Sequence, residues 1–218
     1  MNLSYTKKFF LLALNEKGKI PTSKSTQIYG CLIAGGLMEL LNGGMVVKDE
    51  KERLSVVLPL DEEFSYLAPL YGHLKDAKKP KTVEKLAMDY LSGGKHLEQL
   101  VSSFSESLWM KNYKDAVSNQ GLFKNKTFFV PKEEAIILII DAIREQFLRE
   151  GELEDEMICL VSLLDESKLL SEYFGKLDVK KIHQMLTEMP ASGTHALARK
   201  MIDETITMMV VMNAIIMS

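Results

Sequence analysis

Two lysines close to a tryptophan make the most suggestive polar and aromatic grouping in the chain. In Leu108-Trp109-Met110-Lys111-Asn112-Tyr113-Lys114, helical spacing brings Lys111 and Lys114 near each other on one face, with Ser107 one turn before Lys111. Ammonium groups beside an aromatic ring suit a phosphate-bearing ligand. The same residues serve equally as a solvated lysine face over a buried tryptophan. A second grouping follows. Gly121 to Val130 reads as a short hairpin in which Leu122, Phe123, Phe128 and Phe129 bracket Lys124-Asn125-Lys126. Rings entering a membrane interface while lysines meet lipid phosphates would suit an anionic surface. The same hairpin suits a subunit contact, or phenylalanines packed into the core.

Other chemistry does not assemble. Gly93-Gly94-Lys95 suggests a phosphate loop, but Asp89 stands where the first glycine is required and His96 where Ser or Thr is required. His73, His96, His183 and His195 fall on four different predicted helices, with no second ligand at helical spacing. Acidic runs such as Asp61-Glu62-Glu63 and Glu152-Leu153-Glu154-Asp155-Glu156 sit at helix starts, where the helix dipole stabilises them. Cys31 and Cys159 lie inside apolar helical patterns and read as buried free thiols. No acid, base and nucleophile set emerges, so the expectation is a non-enzyme with no metal and no cofactor.

The elements that must position these residues are mostly helices. Ser4 caps a first helix, Tyr5 to Asn15, and Gly18 follows it. A second helix, Thr26 to Leu41, carries Gly30, Ala34 and Gly35 as a flat side for close helix packing. Met45 to Lys48 and Leu54 to Leu58 form a hairpin around a polar turn. Helices are then predicted from Asp61 to Asp76, Thr82 to Leu91, His96 to Asn119, Pro131 to Glu150, Glu152 to Asp165, Ser167 to Phe174, Asp178 to Met189 and Thr194 to Ile216. The second half of the last helix is apolar around much of its circumference and reads as a buried central helix. The expected fold is all-α (mainly helical), a central helical bundle with two short β-hairpins in a single domain over residues 1–218.

Bulk composition narrows the function. Hydrophobic residues at 46% and charged residues at 26% support a full core and argue against disorder. A net charge of -3 gives no whole-molecule attraction to nucleic acid. The helix, helix, hairpin order resembles a winged helix superficially, yet Thr26 to Leu41 is almost uncharged and makes a poor reading helix. The apolar run Phe9 to Leu14 has no small-residue cleavage site after it. Met208 to Met217 is about half a bilayer span and contains Asn213. A cytoplasmic protein, peripheral on the cytoplasmic face of a membrane, is expected.

A colinear series of segments resembles the Golgi phosphoprotein 3 family. It comprises Leu14-Asn15-Glu16-Lys17-Gly18-Lys19, Leu32 to Leu41, Asp61-Glu62-Glu63 followed by Lys79-Pro80-Lys81-Thr82-Val83, Gly121-Leu122-Phe123, and Asp155 to Leu164. The resemblance implies a bacterial-type member of a set of peripheral phosphoinositide-binding proteins. It implies a helical bundle, a pocket for phosphatidylinositol 4-phosphate on a basic membrane face, and a hydrophobic hairpin for insertion and oligomer contacts. The family's pocket Trp falls near Lys24, its second-helix Arg near Ile33, and its paired Arg near Ser107 and Met110. None is preserved in kind. Lys24, Lys111 and Lys114, with Trp109, then form the expected reduced site for anionic phospholipid headgroups, assisted by the hairpin from Leu122 to Phe129. A protein-interaction adaptor forming homo-oligomers is the alternative, and a DNA-binding regulator the least favoured reading.

Overall fold

The computed structural model describes residues 3–92, 94–119, 126–149, 153–189 and 193–216. In chain order the helices are α1 (Tyr5–Ala13), α2 (Ser25–Asn42), α3 (Ala68–Lys75), α4 (Val83–Ser92), α5 (Lys95–Met110), α6 (Glu133–Ile143), α7 (Asp155–Glu166), α8 (Leu170–Tyr173), α9 (Lys176–Glu188) and α10 (Thr194–Ile216). Strands β1 (Val46–Lys48) and β2 (Leu54–Val56) form one antiparallel pair, and β3 (Lys114–Asn119) and β4 (Lys126–Pro131) form another. The fold is mainly helical with two small hairpins, as the sequence predicts.

Helix α2 is the enclosed element. Every residue from Gly30 to Leu40 is buried, because glycine, alanine and aliphatic side chains leave it no polar face except Glu39. It packs against α1, α3, α7 and α10. Consecutive glycines allow this. A Cβ built on Gly35 would stand 2.8 Å from Thr6 Oγ1 on α1 and 3.2 Å from Leu163 on α7. One built on Gly36 would stand 3.0 Å from both Leu67 and Leu70 on the other side. Of the small residues read as a flat side, Gly35 sits at the close approach of α1 and α7. For α10, Ala198, Met201, Ile202 and Thr205 are buried, and its side chains beyond Thr207 lie outside the described residues.

Several boundaries differ from the sequence reading. The expected helix over Asp61 to Asp76 is a 3-10 segment, Glu62–Leu67, followed by α3 with Pro69 in its first turn. The expected helix from Pro131 starts at Glu133 and ends in a π turn, Arg144–Leu148. The largest difference is α5, which stops at Met110 where the sequence reading continued it to Asn119. Asn112 adopts the left-handed conformation at φ 61°. The Asn112 amide then donates to Trp109 O at 2.9 Å and the Tyr113 amide to Leu108 O at 2.9 Å. This is a Schellman stop with asparagine in the place glycine usually takes. The chain turns at Asn112 and enters β3, so the second hairpin starts at Lys114 and not at Gly121. Its register pairs Ala116 with Phe129 and Val117 with Phe128.

Candidate functional site

The site grows from the first turn of α1. Ser4 is its N-cap, and Ser4 Oγ accepts from the Lys7 amide at 3.4 Å. A second cap arrives from α2, where Glu39 Oε1 accepts from the Thr6 amide at 3.0 Å. The Tyr66 hydroxyl bonds to Glu39 Oε2 and lies 2.9 Å from Ser4 Oγ. A carboxylate at a helix N-terminus is favourable on dipole grounds. Glu39 is nevertheless 3% exposed, and burial raises its pKa against the opposing hydrogen bonds from Tyr66 and Thr6.

Two lysines are pinned beside this network. Lys7, 3% exposed, holds its ammonium 3.5 Å from the centroid of the Tyr66 ring. Burial, then the nearby charge of Lys111, lowers its pKa to about 8 against the pull of Glu39 and Glu63. Lys114, also 3% exposed, donates to Ser105 Oγ at 2.8 Å and lies 5.8 Å from the Phe10 ring centroid. Burial lowers its pKa to about 8 as well. The aromatic rings Phe10, Phe104 and Tyr66 pack in series at 5.5 and 5.1 Å between centroids, and this fixes α5 against α1.

Ser4, Lys7, Glu39 and Tyr66 border a cleft of about 430 Å³ between the start of α1 and the end of α5, which Lys114 does not line. Its cations are Lys7, Lys8 and Lys111, and its carboxylates are Glu39, Glu63 and Glu156. Lys8 lies 3.8 Å from Glu156. Lys111 is close enough to disfavour the charge on Lys7, an arrangement that an anion between them would relieve.

The structure redistributes the residues expected from the sequence. Lys111 borders the cleft and is exposed, one residue beyond α5. Lys114 does not share a helix face with it, because the chain has already turned at Asn112; it is buried at the start of β3. Lys24 does not converge with them. Its ammonium donates to Glu172 Oε1 at 2.5 Å and to Lys168 O at 2.8 Å, beside another cleft of about 590 Å³ bordered by Leu12, Ala13 and Leu14. The two clefts lie at opposite ends of α1. Trp109 is 51% exposed and Met110 75%. Of the hairpin residues, Leu122, Phe123 and Lys124 lie outside the described residues. Lys126, Phe128 and Phe129 are in β4, with only their backbone described. Of the positions matching the family's arginines, Ile33 is fully buried.

Sequence reasoning missed Lys7, Lys8, Glu39 and Tyr66. The available signal was a lysine pair in the first turns of an otherwise apolar helix. It also missed a grouping of histidines from separate helices. His73 Nε2 lies 2.9 Å from Asp89 Oδ2 and 3.0 Å from Lys81 Nζ, and the His96 ring meets His73 edge-on at 4.3 Å. Lys81 also bonds to Asp89, so its ammonium occupies the ground a metal would need. Among the described residues, no group of three or more His, Cys, Asp or Glu side chains could hold a metal ion. Both cysteines are free and buried, and burial raises their thiol pKa values. Among the described residues, no helix is long and apolar enough to cross a membrane.

The family model described as Golgi phosphoprotein 3 (GPP34) matches residues 6–209. No curated protein matches the chain.

Proposed function

Because the chain belongs to the Golgi phosphoprotein 3 family, a non-catalytic binding family, we propose that it is a peripheral membrane protein that binds anionic lipid headgroups. The cleft at the start of α1 is the binding place. One observation carries this reading: Lys7 is held almost buried beside Lys111, with its pKa depressed to about 8. A lipid phosphate between Lys7 and Lys111 would add counter-charge there. Lys111 reaches it from just beyond the end of α5, and Lys8 adds a cation already shared with Glu156. Ser4, Glu39 and Tyr66 fix the turn that carries Lys7. Lys24, tied to Glu172, is not required. Phosphatidylinositol 4-phosphate is the headgroup that family membership favours.

Lysines near an anionic surface contribute on the order of 1 kcal/mol each, so this set gives weak binding unless apolar insertion or avidity adds to it. Flotation with vesicles of neutral phosphatidylcholine, with and without phosphatidylserine or phosphatidylinositol 4-phosphate, tests the reading. The expected result is anion-dependent flotation that Lys7→Gln with Lys111→Gln abolishes. Equal flotation of wild type and double variant removes the cleft as the site, and absence of flotation removes the function.

A second reading, self-association, rests on Ile137 and Leu138. These are 50% and 59% exposed on α6, directly after β4. Sedimentation of wild type beside Ile137→Asp with Leu138→Asp tests it. A lower association state in the variant is the expected outcome.

A further inference from the structure

The end of α5 presents an apolar corner that the headgroup cleft does not use. Leu100, Phe104 and Leu108 bury one face of this helix. Trp109 and Met110 then stand outward at 51% and 75% exposure, followed by exposed Lys111 and Asn112. The corner has a defined shape, because the Schellman bonds to Trp109 O and Leu108 O fix the last turn. Its rim is cationic. Lys111 is adjacent, Lys132 Nζ donates to Asn112 Oδ1 at 2.9 Å, and Lys7 lies in the adjoining cleft. Two nearby acidic side chains are engaged, Glu106 accepting from Ser102 at 3.0 Å and Asp115 lying 3.5 Å from Lys132, while Glu63 borders the adjoining cleft. The Lys132 amide also donates to Tyr113 O at 3.0 Å, which places the corner at the base of the β3–β4 hairpin.

We infer that Trp109 and Met110 form a wedge that enters the interfacial layer of an anionic bilayer when the cleft engages a headgroup. This rests on the lipid-binding reading above and adds how the molecule is seated. The chemistry selects a lipid occupant. An indole favours the boundary between headgroups and acyl chains, where its ring is apolar and its N–H stays hydrated. Methionine is flexible and fills irregular acyl packing. The ammonium groups at the rim match lipid phosphates.

Trp109 is the only tryptophan in the chain, so its emission reports on the wedge directly. The protein is mixed with vesicles of phosphatidylcholine containing phosphatidylserine, with and without lipids brominated high on the acyl chain, and flotation is measured in parallel. Expected are a blue shift on binding and quenching by brominated lipid. Met110→Asp should lower the bound fraction several-fold while circular dichroism stays unchanged, because Met110 already faces solvent. Flotation with Trp109 emission neither shifted nor quenched overturns the wedge and leaves headgroup binding standing. Flotation unaffected by Met110→Asp also counts against the wedge. Absence of flotation overturns both.

Discussion

Lys7 shows how a single side chain carries both the stability and the binding arguments. Its pKa and that of Lys114 fall from 10.5 to about 8 on folding. Between those values the unfolded chain holds more protons at these sites than the folded one, so the contribution of these two lysines to stability rises with pH across that window, while the raised thiol pKa values of Cys31 and Cys159 oppose it toward the upper end. Binding runs the other way. As pH rises through about 8 the ammonium charge is lost, and affinity for anionic vesicles declines well before a solvated lysine would discharge. A bound phosphate shifts that loss somewhat upward. Two measurements check this: urea midpoints at pH 7.5 and 9.5, and flotation over the same range. Lys7→Gln should diminish both trends. Glu39 gives a separate prediction. Glu39→Ala strands the Thr6 amide and leaves the Tyr66 hydroxyl only Ser4 Oγ as a partner, and should cost about 1 to 3 kcal/mol. Glu39→Gln, which keeps an acceptor for Thr6, should cost clearly less in chemical denaturation. Nothing in the sequence marked Glu39, because its role depends on a helix more than thirty positions away.

At the scale of elements, the legible features were those with local causes. Ser4 caps α1 as expected, and the first hairpin follows its alternating pattern around a polar turn. The end of α5 was not legible, because asparagine at a helix C-terminus is a weaker signal than glycine and helical periodicity runs on past it. Asn112→Val should destabilise by about 1 to 2 kcal/mol through left-handed strain, whereas Asn112→Gly should be neutral or slightly stabilising. Thermal melts of the two variants separate the effects. Gly35 gives the packing counterpart. A methyl there would meet the branched Thr6 side chain at 2.8 Å, so Gly35→Ala should lower stability by about 1 to 3 kcal/mol despite its better helix propensity.

For the whole molecule, the pattern of apolar residues was enough to reveal a helical bundle, and not enough to say which surface residues share a side. Lys24 and Lys111 looked like partners in the sequence, and α1 separates them. His73 and His96 looked unrelated, and α3 and α5 bring them together. Long-range pairings of this kind follow from tertiary geometry, which residue types alone do not encode. If the cleft lysines and the α5 corner act together, binding should weaken with added salt and retain a salt-resistant part from Trp109 and Met110. Flotation across a sodium chloride series on wild type and Met110→Asp measures the two parts. The enclosure of α2 has a consequence during synthesis. Its buried surface is covered partly by α7 and α10, both from the last third of the chain. A chain synthesised only through its first half therefore leaves an apolar helix uncovered and prone to aggregation until α7 and α10 follow.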